Sequence, residues 1–285
     1  MAVVVPTRLV DALDALDNNP DLMIVNGGTD FMVEVNFRQR RPESLLSLRR
    51  VEELRGWAMA DGVVRVEAGT TCRSMEAQEF VAVSPVLAQA ARTVGSPQIR
   101  NAATLGGNLA TASPAGDMVA ALVALDASIE VASSRGVRTI GARNFALSPK
   151  RNALVAGELI TAVLFAAATG PQEFMKVGTR NAMVIAVANV ALVVEQANAA
   201  SPDVRLALGS VGPTVLRATE SEAWIATHVD WDAQQIVGDP QEFASLVASE
   251  SRPIDDHRAT AAYRRHAIGI CARRSLIRAI EAGVQ

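Results

Sequence analysis

Leu22-Met23-Ile24-Val25-Asn26-Gly27-Gly28-Thr29-Asp30 runs four apolar residues straight into a glycine pair. The apolar run has the length and composition of a short strand. The glycines remove two Cβ atoms, so the main chain there can take positive φ and a ligand can approach it closely. Successive N–H groups in such a turn converge on one anion, Thr29 adds a hydroxyl donor, and a helix starting just beyond strengthens the site. An ordinary Gly-Gly turn reads the same way.

A second stretch repeats the theme. Thr104-Leu105-Gly106-Gly107-Asn108 lies within residues 95–117, which close on Ala110-Thr111-Ala112-Ser113-Pro114-Ala115-Gly116-Asp117. Arg100 and Asp117 are the only charged residues there. Solvated loops carry more charge and core strands fewer Gly, Ser, Thr and Asn, so this composition suits backbone packed on a large polar ligand. Asp117 either accepts hydrogen bonds from ligand hydroxyls, as an acid does toward a ribose, or caps a helix over 118–125. Two Gly-Gly loops of this kind fit a diphosphate gripped from two sides.

Around these motifs, Leu9, Leu13 and Leu16 predict an opening helix capped by Thr7, and residues 45–48 a second strand. Residues 57–60 and 63–67, split by Asp61-Gly62, give the clearest hairpin. Helices are predicted over 73–80 and 86–94, strands over 128–133, 137–140 and 158–165. Ala166 to Pro171 marks a domain boundary. The apolar runs 184–195 and 204–211 can pair, 218–227 reads as a helix, and Asp256 to Ala282 as a long basic helix with Asp255 and Asp256 at the positive end of its dipole. Strands and helices mix without regular alternation, so the class is α+β.

The chain has 285 residues, 49% hydrophobic and 20% charged, enough for a large core in two domains. A net charge of −3 gives no reason to expect nucleic acid or an anionic membrane as partner. Cys72 and Cys271 alone exclude a four-thiolate cluster held by this chain and give no disulfide framework. With no signal-peptide pattern and no long uncharged apolar span, a cytoplasmic protein is expected. There is no G-x-G-x-x-G, P-loop, G-x-S-x-G or H-E-x-x-H, and His228, His257 and His266 lack metal-ligand spacing, so no metal site is expected. Of the 27 basic residues only Lys150 and Lys176 are lysines.

Both Gly-Gly motifs at this separation, with the segment through Asp117 and the terminal Asp255-Asp256-His257-Arg258 to Arg265, resemble the flavoprotein (medium) subunit of molybdenum hydroxylases, the xanthine dehydrogenase-like and carbon monoxide dehydrogenase-like enzymes. The resemblance covers nearly the whole chain. It implies an FAD-binding domain of the vanillyl-alcohol-oxidase (PCMH) type over 1–170, with two lobes at about 1–55 and 56–170, then an α+β C-terminal domain over 171–285. It implies FAD contacts from Ile24, Val25, Asn26, Gly27, Gly28, Thr29, Asp30 and Phe31, and from Thr104, Leu105, Gly106, Gly107 and Asn108. Asp117 matches an acid on the ribityl or ribose hydroxyls, Ile160 an apolar contact near the flavin, and Lys176 a cation near the isoalloxazine. Asn26 replaces the small apolar residue of many members, and Val94 an aromatic of some.

The resemblance further implies a molybdenum cofactor on a large partner subunit and [2Fe–2S] clusters on a small one, in a dimer of heterotrimers (a heterohexamer). Electrons would pass to NAD⁺, oxygen or a quinone. No side chain is implied as a catalytic acid, base or nucleophile. Two other readings remain open at this level: a stand-alone flavin reductase of a nucleotide-sugar-like substrate, and a non-catalytic nucleotide-binding assembly subunit.

Overall fold

The computed structural model describes residues 2–167, 169–195 and 202–282. Ala168, within the expected boundary segment, lies outside them. The chain opens as β1 (Ala2–Val4), α1 (Leu9–Asn18), β2 (Met23–Val25), α2 (Phe31–Asn36) and β3 (Ser44–Ser47). The three strands are parallel in the order β1-β3-β2, with Val3 and Met23 both beside Leu45. This is a regular βαβαβ unit, an alternation the sequence hid because β1 is three residues long. Its valines favour extended backbone. Thr7 does not cap α1. Arg8 holds the cap position, and Glu53 Oε1 accepts from Leu9 N at 3.0 Å.

Two 3₁₀ turns, Leu48–Arg50 and Glu52–Leu54, lead into β4 (Trp57–Ala60) and β5 (Val63–Glu67). Asp61 and Gly62 both take positive φ, 50° and 74°, as a type I′ hairpin turn requires. Next come α3 (Gln78–Val83), α4 (Pro85–Arg92), α5 (Pro97–Arg100), α6 (Leu105–Ala110) and α7 (Asp117–Ala124). Then follow β6 (Ser128–Ser133), β7 (Gly136–Gly141), α8 (Ala142–Phe145), the short β8 (Ala146–Ser148) and β9 (Arg151–Asn152), and β10 (Leu159–Ala166). An antiparallel sheet, β4-β5-β10-β6-β7, carries the core in which Phe80, Leu87, Leu105, Leu109, Met118 and Leu122 pack.

Two expectations change here. The helix expected over 73–80 breaks at Ala77, an extended residue (ψ 145°) between a 3₁₀ turn and α3. Residues 95–117 are not all loop, because α5 and α6 lie within them. Ser96 and Thr104 cap these helices by accepting from Ile99 N and Gly107 N at 3.3 and 3.1 Å. The sequence argued against α6, since each glycine inside a helix costs about 1 kcal/mol relative to Ala.

The remainder is β11 (Gln172–Gly178), β12 (Ala186–Glu195), β13 (Asp203–Gly209) and β14 (Leu216–Arg217) in one antiparallel sheet, then α9 (Thr219–His228), the ribbon β15 (Val229–Asp230) and β16 (Gln235–Ile236), α10 (Pro240–Glu250) and α11 (Ala261–Ala282). The last helix therefore starts at Ala261 rather than Asp256. Residues 251–260 run as irregular chain along the sheet, with Arg252 N donating to Val211 O at 2.6 Å. Asp255 does serve the helix start, accepting from Ala261 N at 2.5 Å. Arg264 leaves the expected basic face. It is buried, donating to Val187 O, Ser210 O and Asp256 Oδ1.

The two halves interlock through glutamines. Gln172 Oε1 accepts from Val86 N at 3.0 Å, and Gln89 Oε1 from Phe174 N at 2.6 Å. That docking sets α4 and α7 against β11–β13, and it determines what surrounds Asp117.

Candidate functional site

The turn between β2 and α2 leaves its main chain open. The N–H groups of Gly27, Gly28, Thr29, Asp30 and Phe31 have no acceptor among the described residues. Four of these residues are half-buried and Asp30 is exposed, and a run of unpaired amides of this kind can bind an anion. Gly28 takes φ +71°, the left-handed region that a glycine enters without strain. Gly27 is required for a different reason: a Cβ there would overlap the Ala102 carbonyl. Ile24 is exposed, Val25 half-buried, and Phe31 sits under the Arg40 guanidinium at 5.9 Å.

The second glycine pair is built differently. Its amides are taken within the protein: Leu105 N donates to Thr70 O at 3.0 Å, Gly106 N to Ala68 O at 2.7 Å, and Gly107 N to Thr104 Oγ1 at 3.1 Å. Gly106 packs on β5's end, where a Cβ would lie 2.8 Å from the Ala68 Cβ. Gly107 is exposed, with only its own cap atom near. The motif therefore offers a smooth surface rather than donors. Gly27 at Ala102 and Asp30 near Thr111 (3.5 Å between Oδ2 and Oγ1) place the free amide row alongside this bare helix face.

At the Gly27 end the groove opens into a cavity of about 340 Å³. Leu48, Val51 and Leu54 form its apolar wall, while Arg49, Arg55 and Asn101 bring polar groups. Asn26, Gly27 and Thr104 reach this cavity from the expected set. The arginines and Asn101 were missed, because a basic pair after a short strand has no distinguishing sequence pattern.

Beyond Asn108 lies a buried polar cluster. Asn108 Oδ1 is buried without a partner, 3.4 Å from where a Cβ on Gly116 would stand. Asp117, the first residue of α7, is buried and does not cap its helix. Its Oδ2 accepts from Lys176 Nζ at 2.5 Å and Thr93 Oγ1 at 3.0 Å, its Oδ1 from Asn189 Nδ2 at 2.9 Å. Lys176 also donates to Thr93 O at 3.1 Å. Burial pushes the Asp117 carboxyl above its ordinary value, against the pull of the Lys176 ammonium. Ile160 is buried in β10, across from Val131. Asn189 was missed, although an Asn inside a ten-residue apolar strand is itself a signal. Its Oδ1 is buried and unpartnered.

Burial pushes the Cys72 thiol up to about 12 and Cys271 up to about 11, so both stay protonated and inert. No group of three His, Cys, Asp or Glu among the described residues is placed to hold a metal. The cavity, the free amide row and the bare helix face adjoin one another, and the buried acid lies beyond Asn108.

Comparison with known proteins matches both halves. Residues 1–166 fit the model of the FAD binding domain in molybdopterin dehydrogenase, and residues 173–279 that of the CO dehydrogenase flavoprotein C-terminal domain. The chain is 29% identical to the glyceraldehyde dehydrogenase medium chain of Sulfolobus acidocaldarius over 92% of each chain. It is 28% identical to the xanthine dehydrogenase FAD-binding subunit of Escherichia coli O157:H7, over 96% of this chain and 94% of that one. The solved structure of a Cu,Mo-CO dehydrogenase in its cyanide-inactivated form superposes with a TM-score of 0.89 at 26% identity, covering 99% and 98% of the two chains. The chain belongs to the family of FAD-binding medium subunits of molybdenum hydroxylases.

Proposed function

We propose that this chain holds FAD extended along the groove and carries electrons from [2Fe–2S] clusters of a small partner subunit to NAD⁺ or another acceptor, a large partner subunit oxidising the substrate at a molybdenum cofactor. The observation that carries this reading is the row of five free amides beside the helix that bears Gly107. Those N–H groups suit a diphosphate, and the absence of a Cβ at Gly107 leaves the space a diphosphate needs. The 340 Å³ cavity, with its apolar wall and two arginines, suits the adenosine end. The orphan acceptor Asn108 Oδ1 suits a hydroxyl or ring N–H donor at the other end.

When bound, FAD supplies the conversion between single electrons and a hydride pair. The chain's own residues bind and orient. The amide row fixes the anion, and Thr104 stiffens α6 beneath it. Lys176 reaches this end tied to Asp117, so the two present a dipole rather than a bare cation. That weakens the field expected of a lone lysine.

The same reading divides the chain at about residue 170, with FAD lobes 1–55 and 56–170 and a C-terminal domain 171–285. It assembles the chain in a dimer of heterotrimers in the cytoplasm. No described helix is long and apolar enough to cross a membrane. The relatives' names cover glyceraldehyde, xanthine and carbon monoxide, which agrees with a substrate pocket on another chain. A stand-alone reductase needs a proton donor beside the groove, and Asp117, engaged by three donors, is not free to be one.

The test is stopped-flow reduction of the purified complex by its substrate, with and without NAD⁺. Flavin reduction followed by stoichiometric NADH supports the whole chain of transfer. Flavin reduction with no NADH points to oxygen or a quinone as acceptor. No flavin reduction removes the electron-transfer role.

A further inference from the structure

The two lobes that border the groove are joined at both ends of the amide row. Near the chain crossing, Gly27 packs on Ala102 and Gly69 N donates to Leu54 O at 2.7 Å. At the other end Lys150 crosses as an ion pair, beside the longer Thr111 Oγ1 to Asp30 Oδ2 contact of 3.5 Å. Lys150 sits at the tip of the β8–β9 hairpin, and its Nζ donates to Glu34 Oε1 at 2.6 Å. Glu34 lies on α2, one turn beyond the row: Met32 N donates to Gly28 O at 2.9 Å and Glu34 N to Asp30 O at 3.2 Å. Any displacement of α2 therefore displaces Gly28 to Asp30 with it.

We propose that Lys150 is a positioning residue, and that its ion pair with Glu34 is a clasp holding the first lobe over the groove and setting how fast FAD is released. This rests on placement of the diphosphate at Gly27 to Phe31. The hairpin itself is anchored independently on the end of α6, because Lys150 N donates to Ala112 O at 3.0 Å and Asn152 Nδ2 to Ala110 O at 2.8 Å. From this anchored hairpin the lysine side chain spans the gap and makes the ion pair between the lobes. Its ammonium is largely exposed, but the Glu34 carboxylate is only 12% exposed, with Arg40 as its other partner. Removing Lys150 leaves a mostly desolvated carboxylate with half its compensation, a larger loss than that of an ordinary surface pair. Cofactor exit requires the lobes to part, and the clasp lies at the end away from the chain crossing, where parting begins.

The experiment uses the FAD-loaded complex and follows the change in flavin fluorescence as released FAD is captured by an excess of a flavin-scavenging apoprotein, at low and high salt. Lys150→Met is expected to release FAD about tenfold faster at low salt, Lys150→Arg to restore the wild-type rate, and the rates of wild type and Lys150→Arg, but not of Lys150→Met, to rise with salt as the pair is screened. Lys150→Met is expected to lower the Tm of the FAD-loaded complex more than that of the FAD-free complex. A Lys150→Met release rate within twofold of wild type overturns the clasp. So does an equal loss of Tm in the FAD-free complex, which would mark Lys150 as a general stabiliser. Gly107→Val separates the two layers. If it retains FAD, the groove placement fails. If it loses FAD while Lys150→Met releases at the wild-type rate, the clasp alone fails.

Discussion

Lys176 Nζ lies 2.5 Å from Asp117 Oδ2, 59 residues away in sequence, and the pair ties the first turn of α7 to β11, the edge strand paired with β12. Both side chains are under 10% exposed. A buried pair of this kind contributes little net stability against an apolar replacement, but losing one partner strands a charge. Three donors on one carboxylate fix the ends of two elements from opposite halves of the chain at the mouth of the groove.

Lys176→Met is therefore expected to destabilise the protein by about 3–5 kcal/mol. The loss should shrink at low pH, where a proton takes the place of the lysine on Asp117, and Asp117→Asn with Lys176→Met should recover part of it. Urea unfolding at several pH values measures this. Wild-type stability of the single variant at neutral pH would show that the pair is not a structural link.

Gly106 and Gly107 should separate by phenotype. Gly106→Ala places a Cβ 2.8 Å from the Ala68 Cβ and is expected to cost about 1–3 kcal/mol of stability. Gly107→Val is expected to fold and lose FAD, since its surroundings are open. Tm and flavin-to-protein ratio, read together, distinguish the two. Full flavin content in a folded Gly107→Val protein would remove the second motif from the groove.

Thr104→Ala removes the cap of α6, a hydrogen bond of 3.1 Å to Gly107 N. The expected cost is about 1 kcal/mol, with weaker FAD binding because the bare face loses its support. Thermal unfolding and equilibrium FAD titration check both parts, and an unchanged Tm would mean the cap is redundant.

Asp256 gives a pH signature. Its burial works to raise the carboxyl, but the Arg258 and Ala259 N–H groups and the Arg264 guanidinium outweigh it and hold the value at about 2, below the ordinary 3.8. A lowered carboxyl pKa stabilises the native state fully above 3.8 and loses that contribution as pH falls toward 2, at most about 2 kcal/mol. Asp256→Asn should lower stability at neutral pH and flatten the acid limb. An unaltered acid limb would show that Asp256 titrates as it does in the unfolded chain.

How much of this was readable beforehand depended on range. The Asp61-Gly62 hairpin, β6 and β12 are local patterns with strong turn or β-branched signals, and they stand as read. The two glycine pairs marked the right segments. Their different uses were not legible, because whether a glycine N–H is free or already paired depends on residues such as Thr70 and Ala68, dozens of positions away. β1 was too short to register. The start of α11 moved because the Asp256–Arg264 contact competes with helix geometry. The Lys150 and Lys176 pairings were invisible for the same reason: each joins elements that only the tertiary fold brings together.

FAD held along the free amide row is best examined by purifying the chain with its partner chains, recording the absorption spectrum, denaturing, and identifying what is released. One FAD per copy of this chain, with iron–sulfur bands from a companion and with FAD lost in Gly107→Val, is the expected result. A folded complex that contains no flavin, and takes up none when FAD is added, would contradict the groove as a cofactor site.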